Sequence, residues 1–187
     1  METINPEKLL LKVAPILDEL EINYYVTGGF AVSVWGRPRA TFDIDIVVKL
    51  IEPKIMPLAR ALRKISKYGY IDEQAANEAL KRKGEYNFIE PETGIKVDFW
   101  ITKGTETSKV EFERRVVKKI NNQKVSFISP EDLILNKLTW YEKSQSSRHL
   151  EDAESIFKIS GEKLDFDYLK KHVAKIGVSG LLKKFLK

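Results

Sequence analysis

Three aspartates stand in runs of residues that otherwise favour strands. Asp43 and Asp45 lie in Phe42-Asp43-Ile44-Asp45-Ile46-Val47-Val48, and Asp98 in Lys96-Val97-Asp98-Phe99-Trp100. Successive strand side chains point to opposite faces, so Asp43 and Asp45 share one face, about 7 Å apart along the strand. Phe42, Ile44 and Ile46 point the other way, into a core. Two acids on one face repel each other, and a divalent cation is the usual partner that offsets the repulsion. If the Asp98 strand pairs beside the first, a third carboxylate joins them. Three converging carboxylates can hold two Mg²⁺ ions, or Mn²⁺, for phosphoryl chemistry. A solvated sheet face accounts for Asp43 and Asp45 alone about as well, because any half-buried strand alternates. Asp is depleted in strands, which weighs against that alternative.

A second group of residues could receive an anion. Gly28-Gly29 follows a strand-like stretch and opens a short helix. Without side chains, their N–H groups can approach a phosphate, and a helix N-terminus adds partial positive charge. Arg37 and Arg39 lie between this helix and the acidic strand, near enough in sequence to reach a triphosphate. An ordinary tight turn explains a lone Gly-Gly equally, and most loop arginines are simply solvated.

The elements that must position these residues follow from periodicity. Leu9, Leu10, Val13, Ile16, Leu17 and Leu20 recur at helical spacing behind Pro6. Strands are expected at 23–27, 42–48, 86–89, 95–101 and 124–128. Residues 90–94 form the turn of a hairpin between two of them. Helices are expected at 30–35, 53–67 and 71–83, with 103–108 a loop and 112–119 open between strand and helix. Ser129-Pro130-Glu131-Asp132 is a helix start: Ser caps, Pro takes the first helical position and acids fill the first turn. From there the chain reads as helices at 130–142, 149–159, 165–175 and 178–186. The expected fold is α+β: a small mixed or antiparallel sheet with helices on one face, then a C-terminal helical bundle. The expected division is 1–128 for the α/β core and 129–187 for the helical subdomain.

Composition narrows the function classes. The 187 residues include no cysteine, which excludes disulfides, thiolate metal sites and cysteine nucleophiles. No apolar run of membrane-spanning length and no secretory signal pattern is present, so no membrane role and a cytoplasmic location are expected. The net charge of +5 suits polyanionic partners such as nucleotides or RNA. Trp35, Trp100 and Trp140 could stack on a base, but packing in a core or groove is the commoner use of such rings. No stacking module for RNA is evident.

The stretch Gly28 to Val48, GGFAVSVWGRPRATFDIDIVV, resembles the signature of the DNA polymerase beta-like nucleotidyltransferase superfamily. That signature is a glycine pair, a short helix, then a strand with Asp-x-Asp. Trp35-Gly36-x-x-Arg39-x-Thr41 is similar to a bacterial and archaeal branch that includes AbiEii-like toxins. Ser129 to Leu138 and Arg148-His149-Leu150-Glu151-Asp152 are similar to later elements of the same branch. The resemblance implies a palm-like core and two-metal transfer of NMP from an NTP to an acceptor hydroxyl. It implies that Gly28 and Gly29 hold the β- and γ-phosphates, and that Asp43, Asp45 and Asp98 ligate two Mg²⁺. It further implies nucleotide contacts from Arg37, Arg39 and Thr41, a phosphate contact from Lys137, and an orienting role for Asp152. By residue type alone Lys137 would be a surface lysine, and Asp152 an acid favoured by a helix N-terminus. The superfamily's acceptors include tRNA, proteins and small molecules, among which the basic charge tilts the expectation slightly toward RNA, and the branch resemblance implies the toxin component of a toxin-antitoxin pair as an alternative. A catalytically inactive nucleotide-binding or interaction module is the competing reading. A kinase is disfavoured, because no Walker A or kinase glycine pattern exists. A zinc hydrolase is disfavoured because only His149 and His172 exist, without His-Glu-x-x-His.

Overall fold

In the computed structural model, which describes residues 5–175 and 177–185, the alternating stretches assemble into one mixed sheet. The chain runs α1 (Pro6–Glu19), β1 (Tyr24–Thr27), α2 (Gly28–Trp35), β2 (Asp43–Val48), α3 (Glu52–Arg63), β3 (Tyr70–Ile71), α4 (Glu73–Arg82), β4 (Glu85–Glu90) and β5 (Ile95–Ile101). It continues through α5 (Glu106–Arg114), β6 (Val116–Ile120), β7 (Gln123–Phe127), α6 (Pro130–Ser144) and α7 (Ser147–Ser160). After a 3₁₀ turn at Gly161–Lys163 it ends in α8 (Phe166–Lys175) and α9 (Ser179–Phe185). The seven strands lie in the order β3-β4-β5-β2-β1-β7-β6. The β2–β5 and β1–β7 pairs are parallel and the rest antiparallel. The fold is thus α+β, with a mixed sheet followed by helices. No described helix is long and apolar enough to cross a membrane.

Two compact units are present: Met1–Phe30 with Ala40–Phe127, and Ala31–Arg39 with Ile128–Lys187. In the first, one face of the sheet is the core. Ile44, Ile46 and Val48 of β2, Val97 and Phe99 of β5 and Phe88 of β4 are fully buried there. Helix α1 covers β2 and β7 and touches α3, burying Leu9, Leu10, Val13 and Leu17 at helical spacing. The opposite face of the same strands is left more open. There α5 packs over β1, with the Tyr25 hydroxyl donating to Glu111 at 2.7 Å and its ring edge-on to Phe112. In the second unit α6 and α7 pack side by side, and α8 packs on α6. The start of α6 is a polar joint. The Ser129 side chain accepts from the Asp132 N–H, the Tyr168 hydroxyl donates to Asp132, and Glu131 accepts the Asp165 N–H.

Local hydrogen bonds explain where the element boundaries differ from expectation. Residues 71–83 read as one helix, but Tyr70–Ile71 pair with β4, and Asp72 then caps α4 by accepting from Gln74 and Ala75. The expected loop 103–108 is cut short by Thr105, whose side chain caps α5. The open stretch 112–119 splits at Arg115, where the backbone turns extended between α5 and β6. The hairpin turn is held by the buried Glu90 carboxylate, which accepts from the Thr93 backbone and hydroxyl. Gly94 occupies the left-handed region there, at φ +72°.

Phe99 is fully buried beneath the open face and stacks on Tyr86 with ring centroids 5.1 Å apart. Phe99→Ala should destabilise the protein by about 3–5 kcal/mol in urea unfolding. A loss below about 1 kcal/mol would show that this strand does not anchor the sheet.

Candidate functional site

The first unit gathers the three aspartates through strand pairing. Asp45 of β2 is the direct parallel partner of Asp98 in β5, so both side chains leave the same face of the sheet. Asp43 lies two residues earlier in β2, on that face too. The strands keep this order because their other faces are apolar and buried. A slip of one residue would turn every acid inward. Asp98 is 17% exposed and Asp43 51%.

Gly28 begins α2 immediately after β1, whose last residue Thr27 pairs with Asp45. It sits at φ +63°, and a Cβ there would overlap the Asp45 carboxylate. Two constraints therefore demand glycine: a backbone conformation that L side chains rarely adopt, and direct contact with an acid. Gly29 is the next residue of α2. Thr41 donates its hydroxyl to the Asp43 carbonyl at 3.0 Å, bracing the entry to β2.

Lys96 and Trp100 also serve this site, and neither was assigned to it from sequence. Both share the face of Asp98, two residues to either side. The Lys96 ammonium lies 3.2 Å from Asp98 Oδ2 and 3.6 Å from Asp43 Oδ1. Burial pulls the Lys96 pKa down, but the hydrogen bond and charge of Asp98, with the charge of Asp43, outweigh it and hold the value above the ordinary one. Trp100 Nε1 donates to Asp45 Oδ1 at 3.2 Å. Its ring is therefore tied to the site by its N–H and left exposed rather than packed in the core.

Among the described residues, no three acid, imidazole or thiol side chains close around one cation position. The aspartates are instead drawn to Lys96 and Trp100. The donor set still fits a hard divalent cation. Three carboxylates leave one face, and a side-chain-free glycine adjoins one of them. Holding a cation requires Asp43 and Asp98 to turn from Lys96.

The second unit contains a separate charged cluster. Asp152 of α7 accepts two parallel hydrogen bonds from the Arg39 guanidinium, at 3.0 and 3.1 Å. The Lys137 ammonium of α6 lies 2.8 Å from its Oδ2. Lys137 and Asp152 are buried. Burial would raise the Asp152 pKa, but the hydrogen bonds and charges of Arg39 and Lys137 outweigh it and hold the value below the ordinary one. His149 is held below its ordinary value by burial and by the Lys137 charge, with Asp152 opposing. A cavity of about 310 Å³ beside this cluster is lined by Arg37, Arg39, Glu151, Asp152, Glu154 and Ser155. The Arg37 N–H faces Ser155 Oγ at 3.3 Å. Trp35 is a packing residue, its Nε1 donating to the Ile128 carbonyl. Trp140 is exposed and stacks on His149.

No family model matches the sequence, and no curated protein sequence matches it. Solved structures do. ANT(2")-Ia in complex with adenylyl-2"-tobramycin is similar at a TM-score of 0.61 and 12% identity, over 91% of this chain and 95% of that one. An antigenic nucleotidyltransferase-like protein from Paracoccidioides brasiliensis is similar at a TM-score of 0.55 and 21% identity, over 96% and 94%. The lincosamide antibiotic adenylyltransferase LnuA, bound to lincomycin, is similar at a TM-score of 0.54 and 15% identity, over 83% and 99%. At these identities the likeness is one of fold, which this chain shares with these solved nucleotidyltransferase structures. It does not single out the branch with AbiEii-like toxins.

Asp152→Ala would strand the buried Lys137 ammonium and should cost about 3–5 kcal/mol, with Lys137→Met in the same chain recovering part of the loss. The wild-type contribution has a defined pH sign. A carboxyl held low in the folded protein stabilises fully above its unfolded pKa of about 3.9 and loses that contribution as pH falls through the folded value. Urea titrations should show a constant gap between wild type and Asp152→Asn from neutral to mildly acidic pH, narrowing below about pH 4. A gap that widens on acidification would contradict the assignment.

Proposed function

We propose that this chain transfers a nucleoside monophosphate from a nucleoside triphosphate to a hydroxyl of a small acceptor molecule, the new O–P bond replacing the α–β phosphoanhydride bond and pyrophosphate leaving. The observation that carries the reading is the pairing of Asp45 with Asp98 on the open sheet face, with Asp43 beside them and Gly28 against Asp45. The fold likeness supports it, since two of the similar structures are named for adenylyl transfer or contain an adenylylated antibiotic.

Magnesium ions, when bound by Asp43, Asp45 and Asp98, would supply charge neutralisation at the phosphates and acidify the acceptor hydroxyl. The protein's own part is to set geometry. Gly28 and Gly29 present the start of α2, where N–H groups and partial positive charge suit phosphate oxygens. The sheet fixes where the carboxylates leave the backbone before any ligand arrives, and their side chains then turn from Lys96 to take the cation. The contacts that the resemblance implies for Arg37, Arg39, Thr41, Lys137 and Asp152 are part of this proposal and rest on that resemblance.

The surroundings of the acids favour a small acceptor over RNA. On the same face, β4 offers Glu85 and Asn87, the partners of Trp100 and Asp98. Tyr70 of β3 is also exposed. The Glu85 carboxylate, the Asn87 amide and the exposed rings of Tyr70 and Trp100 suit a hydroxylated, neutral or cationic molecule, whereas a phosphate backbone would meet like charge at Glu85. The competing reading, an inactive nucleotide-binding module, draws on the engagement of the acids by Lys96 and Trp100.

Incubation with each α-³²P-labelled NTP, magnesium and separate pools of aminoglycosides and lincosamides, tRNA or cell protein tests both readings. Label is expected in the small-molecule pool. Label only in tRNA or protein overturns the acceptor class, and no label in any pool favours the inactive module. Asp45→Asn should lower incorporation by more than about 100-fold, beyond the 10–100-fold typical of losing a group that merely supports a metal ligand.

A further inference from the structure

Lys96 differs from the other surface ion pairs of the first unit. Arg82–Glu78 and Lys109–Glu106 are neighbours on single helices, and Arg63 of α3 meets the one acid Glu73 of α4. Lys96 instead bridges two strands. It is the direct partner of Asp43 across β2–β5 and lies two residues from Asp98 along β5. Its ammonium touches both Asp98 oxygens, at 3.2 and 3.4 Å, and reaches Asp43 at 3.6 Å. Both partners are acids that the proposed function assigns to metal binding. Three carboxylates share this face, and the lysine supplies a positive charge among them.

We propose that Lys96 is a tethered counter-cation, standing between Asp43 and Asp98 where a divalent ion would draw them together, so that metal enters only by displacing it. The proposal rests on the reading of the three aspartates as metal ligands. Its physical basis is competition. A carboxylate turned onto an ammonium is not turned toward its neighbours, and the acids indeed do not close on one cation position. A divalent ion must break the contacts to Lys96 and leave a like charge nearby. An ion arriving with a triphosphate brings negative charge to face the displaced ammonium. The lysine thereby weakens binding of bare ions while leaving the metal–nucleotide complex a favourable partner.

Direct Mn²⁺ titration of nucleotide-free protein, followed by calorimetry and by the paramagnetic signal of free Mn²⁺, reads this without turnover. Wild type, Lys96→Met, Lys96→Arg and Asp45→Asn form the set. Met keeps the aliphatic length, and Arg keeps the charge. Lys96→Met should bind Mn²⁺ about fivefold more tightly, as expected for removing a competing pair of partly exposed ion contacts. Lys96→Arg should bind as wild type does. Thermal melts supply an independent readout. Mn²⁺ should raise the melting temperature of Lys96→Met more than that of wild type, because stabilisation follows affinity. If Asp45→Asn loses Mn²⁺ binding while Lys96→Met binds as weakly as wild type or more weakly, Lys96 is an ordinary surface lysine and the metal site stands. If all four proteins bind alike, or none binds, the metal reading fails and this proposal with it.

Discussion

Asp45 and Asp98 leave adjacent parallel strands side by side, and strands in a sheet are only about 4.8 Å apart. Asp43 adds a third carboxylate on the same face. Acids this close disfavour one another's charge unless something positive or hydrogen-bonding intervenes. The rest of the first unit can be understood from that constraint. The apolar undersides of β2 and β5 are buried, with α1 packed against β2, and this prevents the strands from slipping or rotating to separate the acids. The Lys96 ammonium, the Trp100 N–H and the open backbone at Gly28 are what the protein offers them in return.

The second unit solves a related problem in a different way. Asp152 is buried, and burial alone would favour its neutral form. A guanidinium fork and an ammonium keep it charged instead. Such an arrangement fixes side-chain positions more than it adds net stability, since desolvating the charges offsets much of their attraction. It also means that Arg39 and Lys137 have their charges already answered by Asp152. A role for either toward phosphate therefore has to be shared with that carboxylate.

What the sequence made legible was set by local rules. Period-two alternation put Asp43 and Asp45 on one face, and Ser129-Pro130 marked the start of α6, where Ser129 does cap the helix. The pairing of Asp98 with Asp45 depends on β5 running parallel beside β2, which no local pattern dictates. Lys96 was read as one more strand residue. Its offset of two from Asp98 was a usable signal, because it places both side chains on one face. Trp100 carried the same offset on the other side. Asp72 and Thr105 are side-chain caps whose effect on boundaries follows from geometry after folding, so β3 and the early start of α5 were missed. The bidentate bond from Arg39 to Asp152 joins residues 113 positions apart, beyond the reach of any spacing argument.

The account stands on magnesium being the link between the carboxylate face and a nucleotide. Calorimetric titration of ATP into the intact protein, once with EDTA and once with saturating magnesium, addresses that link directly. The account predicts binding in magnesium that vanishes in EDTA. Equal affinity in the two buffers would contradict it, whatever the fold resembles.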